Sequence, residues 1–286
     1  MGMMCRGKER SAQSLRVLVT GASGVFGRAV CEYFADRGAQ VVGLDLMPKD
    51  DDPIPVISCD ITDDDSVVAG VDKALEQLGG LDILINNAGI GGPSVAERPP
   101  DAEANRQIQI NLLGAWRVSA ACSSALVDAH GRVVMVASRM AVMPLPLAAA
   151  YGVSKRALVA YADTLRLELA PDVTVSTVYP SAVRSPIHDS TKAAGLSLDG
   201  VSRYESLEGV VGAVAHAGLA IKAPRDLPTS RRGALEFQLA RHFPGLVDRM
   251  VLKTIGTRVR AGDLDRAPLA VGMLARYGRK LLADQS

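Results

Sequence analysis

A single doubly wound parallel sheet with helices on both faces is the fold this sequence predicts, and three observations carry that expectation. Short runs rich in Val, Ile and Leu alternate with longer helix-like stretches from residue 15 to about residue 180. The runs are apolar on both faces, as parallel strands require when helices cover the sheet on either side. The first run passes directly into a glycine-rich turn, residues 20–27 (TGASGVFG), and from there into a helical stretch.

Taken in order, the runs at 15–20, 40–45, 55–60, 81–86, 132–138 and 174–179 are expected as buried strands. Residues 24–37, 63–78, 105–129 and 149–169 have the length and composition of the connecting helices. After Pro180 the alternation stops: 181–232 reads as mixed loop and helix, with small apolar residues clustering again only at 209–221. No linker separates a second domain. The expected organisation is a leader at 1–14, a catalytic domain at 15–232, and a helical C-terminal extension at 233–286 packed on that domain.

The 286 residues are 48% hydrophobic and 22% charged, with a net charge of +1, an ordinary globular composition that advertises neither nucleic acid nor membrane as partner. The start, MGMMCRGKERSAQS, lacks the apolar stretch of a signal peptide and reads as a disordered leader. The weakly charged run at 209–221 is too short to span a bilayer. Cys5, Cys31, Cys59 and Cys122 lie far apart, a spacing that suits neither disulfides nor a metal site and fits a reducing cytoplasm.

The glycine turn has the context a dinucleotide site demands. Gly21 permits the tight exit from the strand, Gly24 lets backbone approach a pyrophosphate, and Gly27 lets the helix pack closely on the sheet. The helix start at Ser23, Gly24, Val25 and Phe26 then offers free N–H groups to phosphate. Asp45 closes the second strand, where a carboxylate accepts hydrogen bonds from the adenosine ribose and repels a 2′-phosphate. With no Lys or Arg at 22–23 or 46–48, NAD is expected over NADP. Asp60, followed by Ile61, ends the third strand. It can reach the adenine amino group, or serve as the N-cap region before Asp63–Asp65.

YGVSK at 151–155 places Tyr151 and Lys155 on one helical face. Ser138 precedes Tyr151 by thirteen residues, at the end of a strand, the edge where open α/β sheets bind ligands. With TGASGVFG, Asp60, NNAG at 86–89 and Asn111 in INLLGA, these pieces make the sequence resemble the short-chain dehydrogenase/reductase family over roughly residues 15–190. The resemblance implies a Rossmann-type fold and a catalytic set of Asn111, Ser138, Tyr151 and Lys155. Tyr151 would be the general acid/base, Lys155 would also hold the nicotinamide ribose, and Ser138 would hydrogen-bond the substrate oxygen. Asn111 would hold a helix distortion and an ordered water.

The resemblance also implies that Asn87, Ala88 and Gly89 line the adenosine side. Pro180, Val183 and Ser185 would meet the nicotinamide, Ser185 replacing a more usual Thr. Two features depart from the pattern. The GxxGxxG spacing resembles a sugar-nucleotide branch of the family, and Ser181 stands where the alcohol/ketone branch has Gly. A phenol titrates near pH 10, so base work near neutrality needs a shift of about three units, or ~4 kcal/mol. An ammonium at ~4 Å and an effective dielectric of ~20 supplies a comparable energy, so Lys155 is expected to depress Tyr151.

Arg139, Met140, Met143, Leu145 and Leu147 should flank the substrate, giving an apolar wall for a hydrophobic secondary alcohol or ketone. Arg139 can steer an anion or point to solvent, and His188 can polarise a substrate or be an isolated loop histidine. In the extension, Leu235, Leu239, Phe243, Val247 and Met250 recur near helical spacing across Pro244. This stretch is expected to pack as a lid or subunit contact; residues 225–260 carry eight Lys/Arg against three Asp/Glu, and docking on anionic lipid is the lesser alternative. The family resemblance implies a homodimer or homotetramer through the helices at 105–129 and 149–169. The expected activity is NAD-linked alcohol/ketone oxidoreduction; the alternatives are an NADPH-dependent carbonyl reductase, a nucleotide-sugar epimerase or dehydratase, and a non-catalytic dinucleotide sensor.

Overall fold

A computed structural model describes residues 8–183, 193–195, 204–265 and 267–283. Seven parallel strands form one sheet in the order β3-β2-β1-β4-β5-β6-β9. They are β1 (Arg16–Thr20), β2 (Gln40–Asp45), β3 (Val56–Ser58), β4 (Ile83–Asn86), β5 (Arg132–Val136), β6 (Thr174–Tyr179) and β9 (Asp226–Pro228). The short pair β7 (Ala182–Val183) and β8 (Tyr204–Glu205) lies apart from it. Strand β9 has a three-residue sequence ending in proline, too short to show a period, and it escapes sequence reading. It extends the sheet by pairing with β6.

The strands alternate sides as the pleat dictates. Leu18, Leu84, Val133 and Met135 enter one core with α2 (Asp64–Leu78), α4 (Ala115–Asp128) and α5 (Ala149–Glu168). Val17, Val19, Ile83, Ile85, Val134 and Val136 enter the other. There they meet α1 (Val25–Ala35) and α6 (Leu207–Leu219). The strand order reverses between β1 and β4, which opens a crevice beyond their carboxyl ends.

The helix expected at 105–129 is three pieces: α3 (Ala102–Ile108), a π turn (Gln109–Gly114) and α4. This whole stretch, Ala102–Asp128, is long and apolar enough to cross a membrane by length and composition, unlike the shorter run singled out in the sequence. Val118, Cys122 and Leu126, however, are fully buried in the core.

The leader expected through residue 14 is corrected from residue 8 onward. The Arg10 and Ile221 amides bond the Leu219 and Lys8 carbonyls at 2.8 and 2.7 Å, and Ala12 is buried in the α1–α6 core. Glu9 meets His216 Nδ1 at 2.7 Å. The physical reason is the end of α6, whose open carbonyls attract cations. Arg10 donates to the Gly218 carbonyl, and Arg132 to those of Gly218 and Ala220.

The extension is also helical, with α7 (Arg231–His242) and α8 (Pro244–Arg260) divided at Pro244, which occupies the first turn of the second helix. The stripe expected to pack is mostly not the packing face. Leu235, Phe243 and Met250 are exposed and Val247 is buried, while Phe237 packs on Tyr179 with ring centroids 4.9 Å apart. The last helix is α9 (Val271–Ala283).

Candidate functional site

The glycine turn is built as its sequence requires. Gly21 has φ +67°, and a Cβ there would lie 2.9 Å from Ala88 Cα. A Cβ on Gly27 would lie 2.0 Å from the Gly21 carbonyl oxygen, so only glycine lets α1 begin beneath the turn. Gly24 is the N-cap of α1, and no side chain caps that helix, whereas Asp63 and Asp101 cap α2 and α3. The first amides of α1, at Val25 and Phe26, are therefore left to the crevice. The cradle fits a dinucleotide pyrophosphate: small backbone-only walls and unclaimed helix donors face one edge.

Asp45 grips this loop. Its carboxylate accepts from the Ser23 amide at 3.0 Å and from the Met47 amide at 3.0 Å. Asp60 accepts from the Thr62 amide at 2.9 Å and the Thr62 hydroxyl at 2.7 Å, which hold its carboxyl below the ordinary range. The helix cap is Asp63 instead, accepting from the Ser66 amide. Ile61 is buried against Gly114, where a Cβ would come within 2.6 Å of Ile61 Cδ1.

The NNAG turn is tied to β1 through Thr20, a residue to which the sequence reading gave no role. The Thr20 hydroxyl accepts from the amides of Asn87 and Ala88, each at 3.0 Å. Asn87 Nδ2 donates to the Thr20 carbonyl at 2.9 Å. Gly89 leaves space that a Cβ would fill, at 3.1 Å from both Asn111 Oδ1 and Lys155 Nζ.

Asn111, Ser138, Tyr151 and Lys155 come together at this edge. Asn111 sits in the π turn, so the helix distortion that the family resemblance implied is present. Its amide accepts from the Ile90 N–H at 2.8 Å and donates to the Ile90 carbonyl and the Ser154 hydroxyl, each at 2.9 Å. Ser154 lies beside Lys155 in sequence and went unremarked there, since a serine inside a helix has no distinctive spacing. Ser94 is a second such residue: its hydroxyl accepts from the Ala150 amide at 2.7 Å and fixes the start of α5.

Ser138 is buried, and its hydroxyl accepts from the Met140 amide at 3.1 Å. Lys155 is buried, donates to the Val136 carbonyl at 3.0 Å, and is pushed down to about 8 by desolvation. The expected depression of Tyr151 by Lys155 is corrected. Burial pushes the phenol up, and the Ser138 hydrogen bond only opposes that rise. The Lys155 ammonium stands 6.0 Å from the Tyr151 ring centroid.

The substrate side is mixed. Met140, Met143 and Leu145 are half-buried. Leu147, at φ +65°, packs instead on Leu264, Ala267 and Ala270 of the C-terminal extension. Arg139 neither faces open solvent nor stands ready for an anion: it pairs with Glu236 of α7 at 2.8 Å, both side chains largely buried. Burial raises the Glu236 carboxyl, but hydrogen bonds from Arg232 and Arg139 hold it below its ordinary range. The Pro180 carbonyl accepts from the Arg139 amide at 2.8 Å, and Val183 lies in β7. The Ser181 amide donates to Glu205 at 3.1 Å. Ser185 and His188 lie outside the described residues.

The family model for short chain dehydrogenase matches residues 16–195. The chain is 32% identical over 186 residues to the 3-oxoacyl-[acyl-carrier-protein] reductase FabG of Escherichia coli, covering 62% of this chain and 75% of that one. It is 34% identical to an NADPH-dependent 1-acyldihydroxyacetone phosphate reductase of Schizosaccharomyces pombe, covering 60% of each chain. Among solved structures, the aldohexose dehydrogenase of Thermoplasma acidophilum superposes with a TM-score of 0.71 at 26% identity, over 80% of this chain and 96% of that one. A 3-ketoacyl-(acyl-carrier-protein) reductase of Brucella melitensis, complexed with NADH, superposes with a TM-score of 0.68 at 26% identity, over 77% and 98%. With the matched region spanning the glycine turn, the Asn–Ser–Tyr–Lys cluster and the sheet that holds them, the chain belongs to the short-chain dehydrogenase family and is an oxidoreductase of that kind.

Proposed function

We propose that this chain is an NAD-dependent oxidoreductase that interconverts a hydrophobic secondary alcohol and its ketone, with Tyr151 as general acid/base. The observation that carries this is the gathering of buried Ser138, Tyr151 and buried Lys155, whose ammonium stands 6.0 Å from the Tyr151 ring centroid, at the same sheet edge as the glycine cradle. Bound NAD supplies the hydride acceptor in oxidation, and its reduced form the donor in reduction.

The chain's own groups handle the proton. In oxidation the substrate hydroxyl proton passes to the Tyr151 oxygen as the substrate C–H hydride departs; in reduction Tyr151 returns the proton to the carbonyl oxygen. Ser138 donates to the substrate oxygen as charge grows on it. Lys155, with its lowered ammonium, and Asn111 beneath it provide the route by which Tyr151 regains a proton.

NAD is favoured by Asp45 at the ribose corner. An NADPH-dependent reductase is the second reading, favoured by the S. pombe relative's name and by Lys49, which donates to the Ser23 carbonyl at 2.8 Å. Half-buried Met140, Met143 and Leu145 support an apolar substrate. Exposed Trp116, Val153 and Leu167 on α4 and α5 support a homo-oligomer through those helices, and the free, buried Cys31, Cys59 and Cys122 fit a reducing cytoplasm. The test is a cofactor-coupled screen of aliphatic, steroid-like and polar alcohols and ketones. Turnover with apolar substrates and NAD, lost in Tyr151→Phe, is expected; a preference for polyols defeats the apolar wall.

A further inference from the structure

Beside Asp45 a second carboxylate reaches the same serine. Residues 49–52 form a turn closed by the Asp52 amide on the Lys49 carbonyl at 3.1 Å, and this turn folds back over the glycine loop. Asp52 accepts from the Ser23 hydroxyl and from the Lys49 amide, the latter at 2.8 Å. Its side chain is only 3% exposed, and its second oxygen has no hydrogen-bond partner. Ser23, itself buried, is thus held by Asp45 at its amide and by Asp52 at its hydroxyl.

Two cations stand in this corner and both are engaged. Arg28, one turn into α1, lies 3.1 Å from Asp51 and 3.5 Å from Asp52. It also donates to the Asp51 carbonyl. Lys49 Nζ bonds the Ser23 carbonyl. The three carboxylates of Asp45, Asp51 and Asp52 outnumber Arg28 and Lys49, so the corner is anionic although it contains the very residue types that hold phosphate.

We propose that Asp52 is a second cofactor-specificity residue, which excludes an adenosine 2′-phosphate by occupying Ser23 and by adding its charge to that of Asp45, while Asp51 holds Arg28. The inference rests on the dinucleotide reading above. A ribose bearing free hydroxyls needs one acceptor, which Asp45 provides. A 2′-phosphate brings about two negative charges toward two carboxylates and finds the neighbouring guanidinium already taken.

The experiment is calorimetric titration of the full chain with NAD⁺ and with NADP⁺, so the readout is binding and not turnover. For wild type, NAD⁺ is expected to bind the more tightly. Asp52→Asn should tighten NADP⁺ by at least about tenfold relative to NAD⁺, and Asp45→Ala with Asp52→Asn should tighten it further than Asp45→Ala alone. Asp52→Glu, which disturbs the turn but keeps the charge, should give no such gain, which separates lost charge from a loosened loop; circular dichroism melts confirm that each variant is folded. An unchanged NADP⁺ affinity in folded Asp52→Asn, or an equal gain in Asp52→Glu, overturns the proposal and leaves the dinucleotide reading standing. Wild type that binds neither nucleotide overturns both.

Discussion

Asn111 and Ser154 join the π turn to the catalytic helix: the Asn111 amide donates to the Ser154 hydroxyl at 2.9 Å, and Ser154 in turn donates to the Tyr151 carbonyl at 2.9 Å. Both side chains are fully buried, so each bond removed leaves a polar group without water to replace its partner. Ser154→Ala is expected to cost about 1–3 kcal/mol in urea unfolding. It should also lower kcat more than it raises KM, because it loosens the helix that presents Tyr151 while leaving the glycine cradle alone.

In the proposed reaction, Tyr151→Phe removes the proton-transferring oxygen and little else. Turnover should fall by about 10²–10⁴-fold, while NAD⁺ affinity measured by titration stays within a few-fold of wild type. A variant with normal turnover would remove Tyr151 from the chemistry.

Lys155 gives a stability signature that runs with pH. Its folded value, about 8, lies below the ordinary 10.5, so between these values the unfolded chain holds a proton that the folded chain has released. Stability therefore rises with pH across that window, and the ammonium is a liability below it. Measured by urea unfolding at pH 7 and pH 10, wild type should gain on Lys155→Met as pH rises, by about 2 kcal/mol for a shift of this size. An unchanged difference between the two proteins would place the Lys155 titration elsewhere.

Gly27→Ala drives a methyl group into the Gly21 carbonyl, since the Cβ position is 2.0 Å from that oxygen. The start of α1 must move, and a loss of about 1–3 kcal/mol in stability is expected along with NAD⁺ binding weakened beyond detection by calorimetry. Gly79→Ala is the contrasting control, because nothing lies within 4 Å of its Cβ position and its cost comes from its φ of +68° alone.

Much of the sheet was legible because its signal is local. Strands β1, β2, β4, β5 and β6 are apolar on both faces and flanked by glycines or acidic turns, so their sequences admit few other readings. Strand β9 was not legible: three residues carry no period, and their place is decided by pairing with β6 across about fifty residues of chain. The same division runs through the site. Gly21, Gly27, Tyr151 and Lys155 have fixed spacings and could be read directly. Thr20, Ser94 and Ser154 act through single hydrogen bonds to distant backbone or side chains, which leave no pattern in a linear string. The sign of the Tyr151 shift was misread because charge attraction was weighed while burial, which depends on the whole fold, was left out.

The docking of residues 8–12 against the end of α6 has a consequence for how the chain is made. Arg10 waits for carbonyls that lie 208 positions later in the chain, at Gly218. At a synthesis rate of about 5–20 residues per second, the arm emerges roughly 10–40 s before its receptor exists. Through that interval the α1 face of the sheet stays uncovered where α6 will sit, so a nascent chain is open to capture by chaperones along that face until translation passes residue 221, and residues 8–12 are among the last to find their place.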